Sequence, residues 1–323
     1  MLIRPQRLLY ERLEVWEENR PIAGYVVDGE ERPFLYPLFT PGGTLVTSYG
    51  KSHDPTGSHD HHKSVWIGHR DVDGCNFWEL GECFIRHRGF LLLEDGPLFA
   101  RVVQRTQWSS DGTERLRDRR EWLFWRHQGA GRCVDLILTI QAPDERGVEI
   151  GRSPFGWLGV RVDPRLSVFD GGGEIQNSRG QRNEQEAHRQ PAEWIDLSGP
   201  ATPERWAGVT LMDHPDNPNH PTVWHCRNDG WAGSSVTAHE PIRLEAGRDA
   251  NVALSALRPR RKRGGERGRT DLRGVLGAAL GANRVRREDR LRIVTLCQRG
   301  KLPQKPIAQR RKVLVGHDLR PEP

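Results

Sequence analysis

The sequence predicts an all-β protein, folded as an antiparallel β-sandwich. Glycine and proline together account for 57 of the 323 residues, which favours turns and short strands over long helices. Candidate strands follow one another at intervals of roughly 10–20 residues with almost no helical pattern between them, as in sandwiches and barrels.

The strand pattern is clearest in the middle of the chain. Residues 134–140 place an apolar side chain at every second position, which is the period of a half-buried strand. Residues 158–162 repeat this alternation, and residues 90–107 form two apolar runs separated by an Asp-Gly hairpin signal. Only residues 9–16 space Leu and Trp at helical intervals, which predicts a short helix there.

The net charge of +6 is unevenly distributed. Residues 258–323 carry 20 Lys/Arg and six Asp/Glu, which leaves a net charge of −8 on residues 1–257. All 24 aromatic residues lie at or before Trp231, so the C-terminal segment lacks the side chains that dominate core burial. We therefore predict a β-sandwich body, residues 1–257, and an irregular basic tail, residues 258–323.

The chain carries no signal for export or membrane insertion. Residues 1–20 mix Arg and Glu and lack the apolar core of a signal peptide, and no run of 18 apolar residues occurs. Five scattered cysteines without C-x-x-C spacing fit free thiols in a reducing compartment. We expect a soluble cytoplasmic protein with no membrane partner.

Histidines are concentrated in a first cluster of His53, His59, His61, His62 and His69, with aspartates beside them. If the segment is extended, His59 and His61 project from one face and His62 from the other. Two imidazoles on one face, joined by a third, would suit Zn²⁺, Fe²⁺, Mn²⁺ or Cu²⁺. A polar loop whose imidazoles bond carboxylates and backbone is the structural alternative.

A second cluster contains Asp213, His214, His220, Trp224 and His225. Three prolines within it exclude a helix or a central strand, so it predicts a rigid polar loop that follows a strand. Asp213 beside His214 could orient an imidazole as a base. Asp-Pro and Asn-Pro turns would explain the same composition without chemistry.

Three consecutive glycines precede Glu174 and Asn177. They are not a phosphate-binding P-loop, because no Lys and no helix start follow them. Tight turns that lead into a strand presenting Glu174 and Asn177 are the better interpretation.

Several motifs together resemble a bacterial family. They are RPFLYPLFTPGG from Arg32, the histidine block through Trp78, GGEIQNS around Glu174, WIDLSG from Trp194, and DHPDNPNHPT from Asp213. Over about residues 32–247 the chain is similar to the soluble family labelled methane oxygenase PmoA, whose function is unknown. The positions that match the family pattern include His59, His61, His62, His69, Asp213, His214 and His220, whereas Ser58, Asp60 and Lys63 depart from it.

The resemblance implies a sandwich like the galactose-mutarotase supersandwich and a carbohydrate ligand, since relatives are often found among sugar-catabolism genes. Methane oxidation is not expected. The methane monooxygenase subunits of that name are integral membrane proteins, and this chain has no apolar run long enough to span a membrane.

Our first hypothesis is a carbohydrate-processing enzyme whose two histidine loops converge in one cleft. The candidate catalytic residues are His61, His69, Asp213, His214 and Glu174. The candidate substrate-binding residues are His59, His62, Asn177, His220, Trp224 and His225. The cofactor stays open, with a divalent transition metal as the candidate.

Two other function classes are alternatives. One is a non-catalytic sugar-binding module that uses the same loops. The other is a nucleic-acid-associated protein that uses the basic tail, and we do not expect it because the tail has no aromatic side chain on which bases could stack.

The resemblance also predicts that the chain after about Gly247 is a frameshifted translation. In the family a closing strand similar to TLTLRY follows this point, whereas here the residues read DANVALSALRPRR. Back-translation with a one-nucleotide step allows the family-like residues, and an out-of-frame GC-rich gene yields Arg, Gly, Ala and Pro. On this hypothesis the sandwich lacks an edge or closing strand. A genuine Arg/Gly-rich arm that binds RNA is the alternative.

Overall fold

The computed structural model describes residues 1–7, 11–27, 31–49, 59–79, 81–127, 131–203 and 205–258. Strands account for 57% and helices for 5% of the structure, which confirms the all-β prediction. No helix in these ranges is long and apolar enough to cross a membrane.

The strands in chain order are β1 (Leu2–Arg7), β2 (Glu11–Glu17), β3 (Arg20–Val26), β4 (Phe34–Leu38), β5 (Val65–His69), β6 (Cys83–Glu94), β7 (Phe99–Ser110), β8 (Thr113–Trp125), β9 (Val134–Gln141), β10 (Val148–Ile150), β11 (Gly156–Arg161), β12 (Glu174–Asn177), β13 (Gln190–Pro191), β14 (Trp194–Thr202), β15 (Arg205–Asp213), β16 (Val223–Arg227), β17 (Trp231–Ser235), β18 (Ile242–Leu244) and β19 (Asp249–Arg258). The helices are a 3-10 helix (Pro164–Leu166), α1 (Val168–Gly171) and α2 (Asn183–Ala187).

Two large antiparallel sheets make up the body. The first has nine strands in the order β1-β2-β3-β4-β5-β11-β17-β16-β13. The second has eight strands in the order β12-β14-β15-β19-β9-β8-β7-β6, and β10 pairs with β18 in a small third sheet. The strands predicted around residues 134–140 and 158–162 are β9 and β11, and the predicted hairpin is β6–β7. The finer likeness to a galactose-mutarotase supersandwich stays a prediction.

The two large sheets share one hydrophobic core. Leu136, Leu138 and Ile140 of β9 are buried in it at every second position, and Val65 and Ile67 of β5 enter it from the other sheet. Burial of apolar side chains from both sheets is the main driving force for this arrangement. Each sheet is left with an outer face that carries the alternate side chains.

The helix predicted from residues 9–16 is wrong in the described part. Residues 11–17 form β2, which pairs with β1 on one side and β3 on the other. Leu13 and Val15 are buried in the core, whereas Glu14 and Trp16 are only half-buried, so the burial follows a period of two. Pairing with two neighbouring strands overrides the local helical spacing.

Strand β19 lies inside the eight-stranded sheet, between β15 and β9. The expectation that the sandwich lacks an edge or closing strand is therefore wrong for residues 249–258. Ala250, Val252 and Leu254 give this segment the apolar alternation of a strand, and a strand in this place pairs on both sides. Residues 259–323 lie outside the described residues, so the basic tail and the reading-frame hypothesis stay predictions.

A buried polar network connects the two sheets. Asp118 and Arg120 of β8 form an ion pair of 2.9 Å, and neither side chain is more than 1% exposed. Asp118 also accepts a hydrogen bond of 2.6 Å from the indole N–H of Trp108. Nearby, Tyr25 of β3 donates a hydrogen bond to Gln104 of β7, across the interface between the sheets. Charges at this depth are tolerated because they are paired.

We expect Asp118→Asn to lower the free energy of unfolding by about 3–5 kcal/mol, because Arg120 would stay buried without its counter-ion. Glu149→Gln is the matched control, since it removes the carboxylate of the exposed Arg243–Glu149 pair. The control should cost less than about 1 kcal/mol. Urea unfolding followed by tryptophan fluorescence measures both changes, and similar losses for the two variants would contradict the role of the network.

Candidate functional site

A second hydrophobic cluster, separate from the main core and mostly aromatic, covers part of the outer face of the nine-stranded sheet. Its buried members are Val26, Phe34, Trp66, Trp78 and Trp231, with Tyr36 and Phe155 packed against them. The strand period explains the position of Trp66, because its neighbours Val65 and Ile67 face the core.

Two glycines make room for these rings. Strand pairing places Trp66, Gly159, Gly233 and His225 in one row across β5, β11, β17 and β16. A Cβ atom on Gly159 would lie 2.4 Å from the Trp66 ring, and one on Gly233 would lie 3.3 Å from the Trp78 ring. The glycines therefore form a trough in the sheet, and the indole rings lie directly against its backbone.

Three histidines of the first cluster meet the rings just before β5. The centroids of His61 and His62 are 4.4 Å apart, and those of His59 and His62 are 4.9 Å apart. The His62 ring is stacked on Trp66 at 5.0 Å and lies 4.8 Å from Trp231. Residues 59–61 form a turn, so the arrangement expected of an extended segment, with His62 on the face opposite His59 and His61, does not occur. The three rings meet, and His62 makes the contacts with the tryptophans.

His225 closes the cluster from the opposite side. Its ring is stacked on Trp231 at 4.4 Å and lies 5.2 Å from Phe155, while His188 packs edge-on against it at 4.4 Å. Phe155 in turn lies 4.8 Å from Trp78. We define the aromatic–histidine site by these residues: Arg32, His59, His61, His62, Trp66, Trp78, Phe155, Arg161, His225, Asp229 and Trp231.

His61, His62 and His225 are neutral at physiological pH, because burial lowers the pKa of each. Burial, reinforced by the charge of Arg32, lowers the pKa of His61 to about 4, and burial lowers the pKa of His225 to about 3. Burial also holds the pKa of His62 well below its ordinary value. Arg161 donates a hydrogen bond of 3.1 Å to Nδ1 of His62, which places the His62 proton on Nε2.

Two arginines supply the positive charge. Arg161 reaches both His62 and Asp229, at 3.4 Å from the carboxylate. Arg32 is only 2% exposed and donates to the backbone carbonyls of Trp78 and Glu79. Burial lowers the pKa of Arg32 to about 10, which still leaves the guanidinium charged at neutral pH.

Four buried polar atoms of this site have no hydrogen-bond partner in the described part of the chain. They are Nη1 of Arg32, Nε1 of Trp66, Nδ1 of His225 and Oδ1 of Asp229. Buried donors and acceptors are rarely left unpaired, because each costs free energy without a partner. These four lie around one aromatic cluster, whereas the other unpartnered buried atoms are distributed over the rest of the described chain.

His69 does not belong to this site. It is fully buried on the inner face of the nine-stranded sheet, where its ring lies 5.0 Å from Trp157. Nδ1 accepts a hydrogen bond from the backbone N–H of Asp71, so Nε2 carries the proton and donates to Thr237 at 2.8 Å. Burial lowers the pKa of His69 to about 4. These contacts make His69 a satisfied core histidine.

The second cluster forms a loop organised by Asp213. This buried carboxylate accepts hydrogen bonds from the ring of His220 at 2.6 Å, the side chain of Asn217 at 2.7 Å and the backbone N–H of Thr222 at 2.8 Å. Nδ1 of His214 accepts a bond from the backbone N–H of Asp216, and burial lowers the pKa of His214. Asp213 therefore binds its own loop, and orients His220 instead of His214.

The prediction that His59 or His61 shares one cleft with His69, Asp213 and His214 is wrong. Of the second cluster only His225 reaches the first, through its contact with Trp231 beside His62. His69, Gly156, Ser235 and Val223 form one row at the end of the strands next to the Asp213 loop. Trp231, which packs against His62, lies at the other end of β17. The four-residue step from Ser235 to Trp231 spans about 13 Å along the strand. The period of two adds a second separation, because His69 and Trp66 are an odd number of residues apart and face opposite sides of β5.

Three more predicted site residues lie outside the aromatic–histidine site and make contacts within the fold. Glu174 begins β12 at the edge of the eight-stranded sheet, 3.5 Å from Arg182. Asn177 is buried and bonds the backbone of Arg179 and Gln181 in the following turn. Trp224 is fully buried in the main core, where its indole donates to the carbonyl of Ala192. The side chain of Trp224 therefore faces the core, away from His225.

The candidate metal site stays a prediction. In the described ranges no group of three His, Cys, Asp or Glu side chains is arranged to hold a metal ion. His53 and Asp54 lie outside those ranges. The site was instead completed by residues that the sequence pattern did not single out, namely Arg32, Phe155, Arg161, Asp229 and Trp231. One signal was available, because Arg161 is the only charged residue within β11.

The lowered pKa values predict acid sensitivity. Each histidine with a native pKa near 4 and an unfolded value near 6.5 binds its proton only in the unfolded chain between these limits. Stability should therefore fall as pH decreases from about 6.5 to about 4, by about 1.4 kcal/mol per pH unit for each such histidine.

Urea unfolding at pH 7, 6 and 5 measures this slope. His69→Gln should reduce it by the share of one histidine, whereas His239→Gln, at an exposed position, should leave it unchanged. A stability that is flat or rises toward pH 5 would contradict the buried neutral state of these imidazoles.

Comparison with known proteins places the chain in a family. A search of curated proteins found no match. The model of the Family of unknown function (DUF6807) matches residues 12–258, which include every strand from β3 to β19. The match covers about three quarters of the chain, and its end coincides with the end of β19. The chain therefore belongs to the Family of unknown function (DUF6807).

Proposed function

We propose that the protein binds a carbohydrate at the aromatic–histidine site and processes it there. The observation that supports this most directly is the combination of stacked rings with four unpaired buried polar atoms. The apolar face of a sugar ring packs on an aromatic ring, while its hydroxyl groups need donors and acceptors at the edge. Apolar walls with a few converging polar groups are the usual composition of a small-molecule site.

The side chains offer a sugar both kinds of hydrogen bond. The His62 Nε2–H is a donor, since Nδ1 accepts from Arg161. The unpaired Oδ1 of Asp229 is an acceptor, while its Oδ2 faces Arg161. Asp229 is the only carboxylate among the described residues that define the site, so we assign to it the transfer of a proton from a sugar hydroxyl. This replaces the His/Asp pair of Asp213 and His214.

The narrower family label enters only as support. The motif resemblance to the soluble family labelled methane oxygenase PmoA, with its sugar-catabolism context, agrees with a carbohydrate ligand. Methane oxidation is not proposed. The second candidate is a sugar-binding module without catalysis, which the same rings would support, and turnover measurements separate it from an enzyme.

Trp231→Leu tests the site, because it keeps an apolar side chain and removes the ring between His62 and His225. We expect sugar affinity to fall about two- to tenfold, since stacking contributes about 0.5–1.5 kcal/mol beyond the buried area. Trp125→Leu is the control, because Trp125 packs against Phe99 on the other sheet. Calorimetric titration with a panel of neutral monosaccharides measures both. Unchanged affinity in Trp231→Leu, or wild-type protein that binds none of the panel, would refute the proposed site.

Asp229→Asn separates the enzyme from the binding module. If Asp229 transfers a proton, the variant should retain binding within about threefold and lose turnover at least a hundredfold. NMR of each bound sugar, followed over hours with wild-type and variant protein, records conversion. Sugars that bind wild-type protein without any conversion would favour the module and reject the enzyme.

A further inference from the structure

The outer face of the eight-stranded sheet contains a cavity, separate from the aromatic–histidine site. Its volume is about 480 Å³, and each of its eleven lining residues is polar or charged. The volume lies within the range of small-molecule sites, whose walls are usually apolar. A cavity of this size with only polar residues in its wall therefore calls for a specific explanation.

Strand register builds the floor of the cavity. Arg105, Arg119 and Thr139 lie side by side across β7, β8 and β9. The adjacent row contains Gln107, Arg117 and Gln141, followed by Asp249 of β19. Two neighbouring rows thus present guanidinium, amide and hydroxyl groups at the spacing of paired strands, about 5 Å apart. The carboxylate of Asp249 ends the second row.

Most of these arginines already have partners. Arg88 donates to Gln107 at 2.8 Å, and Arg117 lies 2.9 Å from Asp144. Arg119 lies 2.9 Å from Glu121, but the same carboxylate also holds Arg101 at 2.6 Å. Arg101 has a second carboxylate, Glu94, at 3.9 Å, whereas Glu121 is the carboxylate paired with Arg119.

Arg105 is the exception. Its side chain is exposed, lines the cavity and makes no hydrogen bond or ion pair within the described residues. In the strand pairing, Arg105 lies directly opposite Arg119. Like charges directly opposite on a sheet are destabilising. An oxyanion between the two would remove the repulsion and accept planar, two-pronged hydrogen bonds from either guanidinium.

We propose that this cavity binds a polyhydroxylated ligand with one oxyanion group, as in a sugar acid or a sugar phosphate. The oxyanion pairs with Arg105 and Arg119, while the amide of Gln141 bonds the hydroxyl groups. The cavity lies on the other sheet from the aromatic–histidine site and contains no aromatic ring, so it selects by charge and hydrogen bonding rather than by stacking. The proposal does not depend on the function assigned to the first site.

Calorimetric titration of the full chain tests it with five probes: glucuronate, glucose 6-phosphate, glucose, acetate and inorganic phosphate. We expect glucuronate or glucose 6-phosphate to bind at least tenfold more tightly than glucose, acetate or phosphate, and the tighter of the two identifies the oxyanion. Affinity should weaken as salt is raised, because an exposed charge pair is screened.

Variants assign the binding to the cavity. Arg105→Ala should weaken the preferred probe at least tenfold, and Arg105→Lys should recover only part of it because the fork is lost. Arg243→Ala, which removes an exposed arginine from β18, should change affinity less than twofold. Trp231→Leu should leave this binding intact, and a loss there would assign the anion to the first site and overturn the proposal.

Two other results would also overturn it. Unchanged affinity in Arg105→Ala excludes the cavity. Equal affinity for glucuronate, acetate and inorganic phosphate would reduce the site to a simple anion site without recognition of hydroxyl groups.

Discussion

Each strand of the two large sheets turns one face to the shared core and the other outward, and this period of two residues constrains where chemistry can lie. Val65 and Ile67 fill the core, so Trp66 must face outward. The same alternation points His69 inward, where its Nε2–H donates a hydrogen bond to Thr237. Sites on this protein are consequently built on the outer faces, and side chains adjacent in sequence contribute to different environments.

Burial then determines the charge state of the ionisable side chains on these strands. Within the core, Arg120 is held by Asp118, and the pair is closed by the Trp108 indole. In the aromatic–histidine site, His61 and His225 avoid the cost of burial by staying neutral, as their lowered pKa values indicate. Arg32 cannot become neutral in the same way, since a guanidinium keeps its proton. Its Nη1 has no hydrogen-bond partner among the described residues.

The two outer faces consequently offer different chemistry. The nine-stranded sheet carries buried rings packed on a glycine trough, together with four buried polar atoms that have no partner among the described residues. The eight-stranded sheet presents rows of Arg, Gln and Thr, which suit charge and hydrogen bonding.

Local patterns determined much of the fold. Alternation identified β9 and β11, an Asp-Gly turn identified the β6–β7 hairpin, and glycine and proline content excluded a helical protein. These features depend on neighbours in sequence, which is why they can be read without coordinates. For the site, histidine density located His59, His61, His62 and His225 but could not say which of them meet.

Tertiary structure alone decided the rest. Arg32, Arg161 and Trp231 join the site because strands far apart in sequence pair in one sheet, and no local signal records that register. His69 and the Asp213 loop leave it because a strand face and a strand end separate them from His62. The pairing of distant strands sets both distances, and it results from burying a common core rather than from any short segment of the chain.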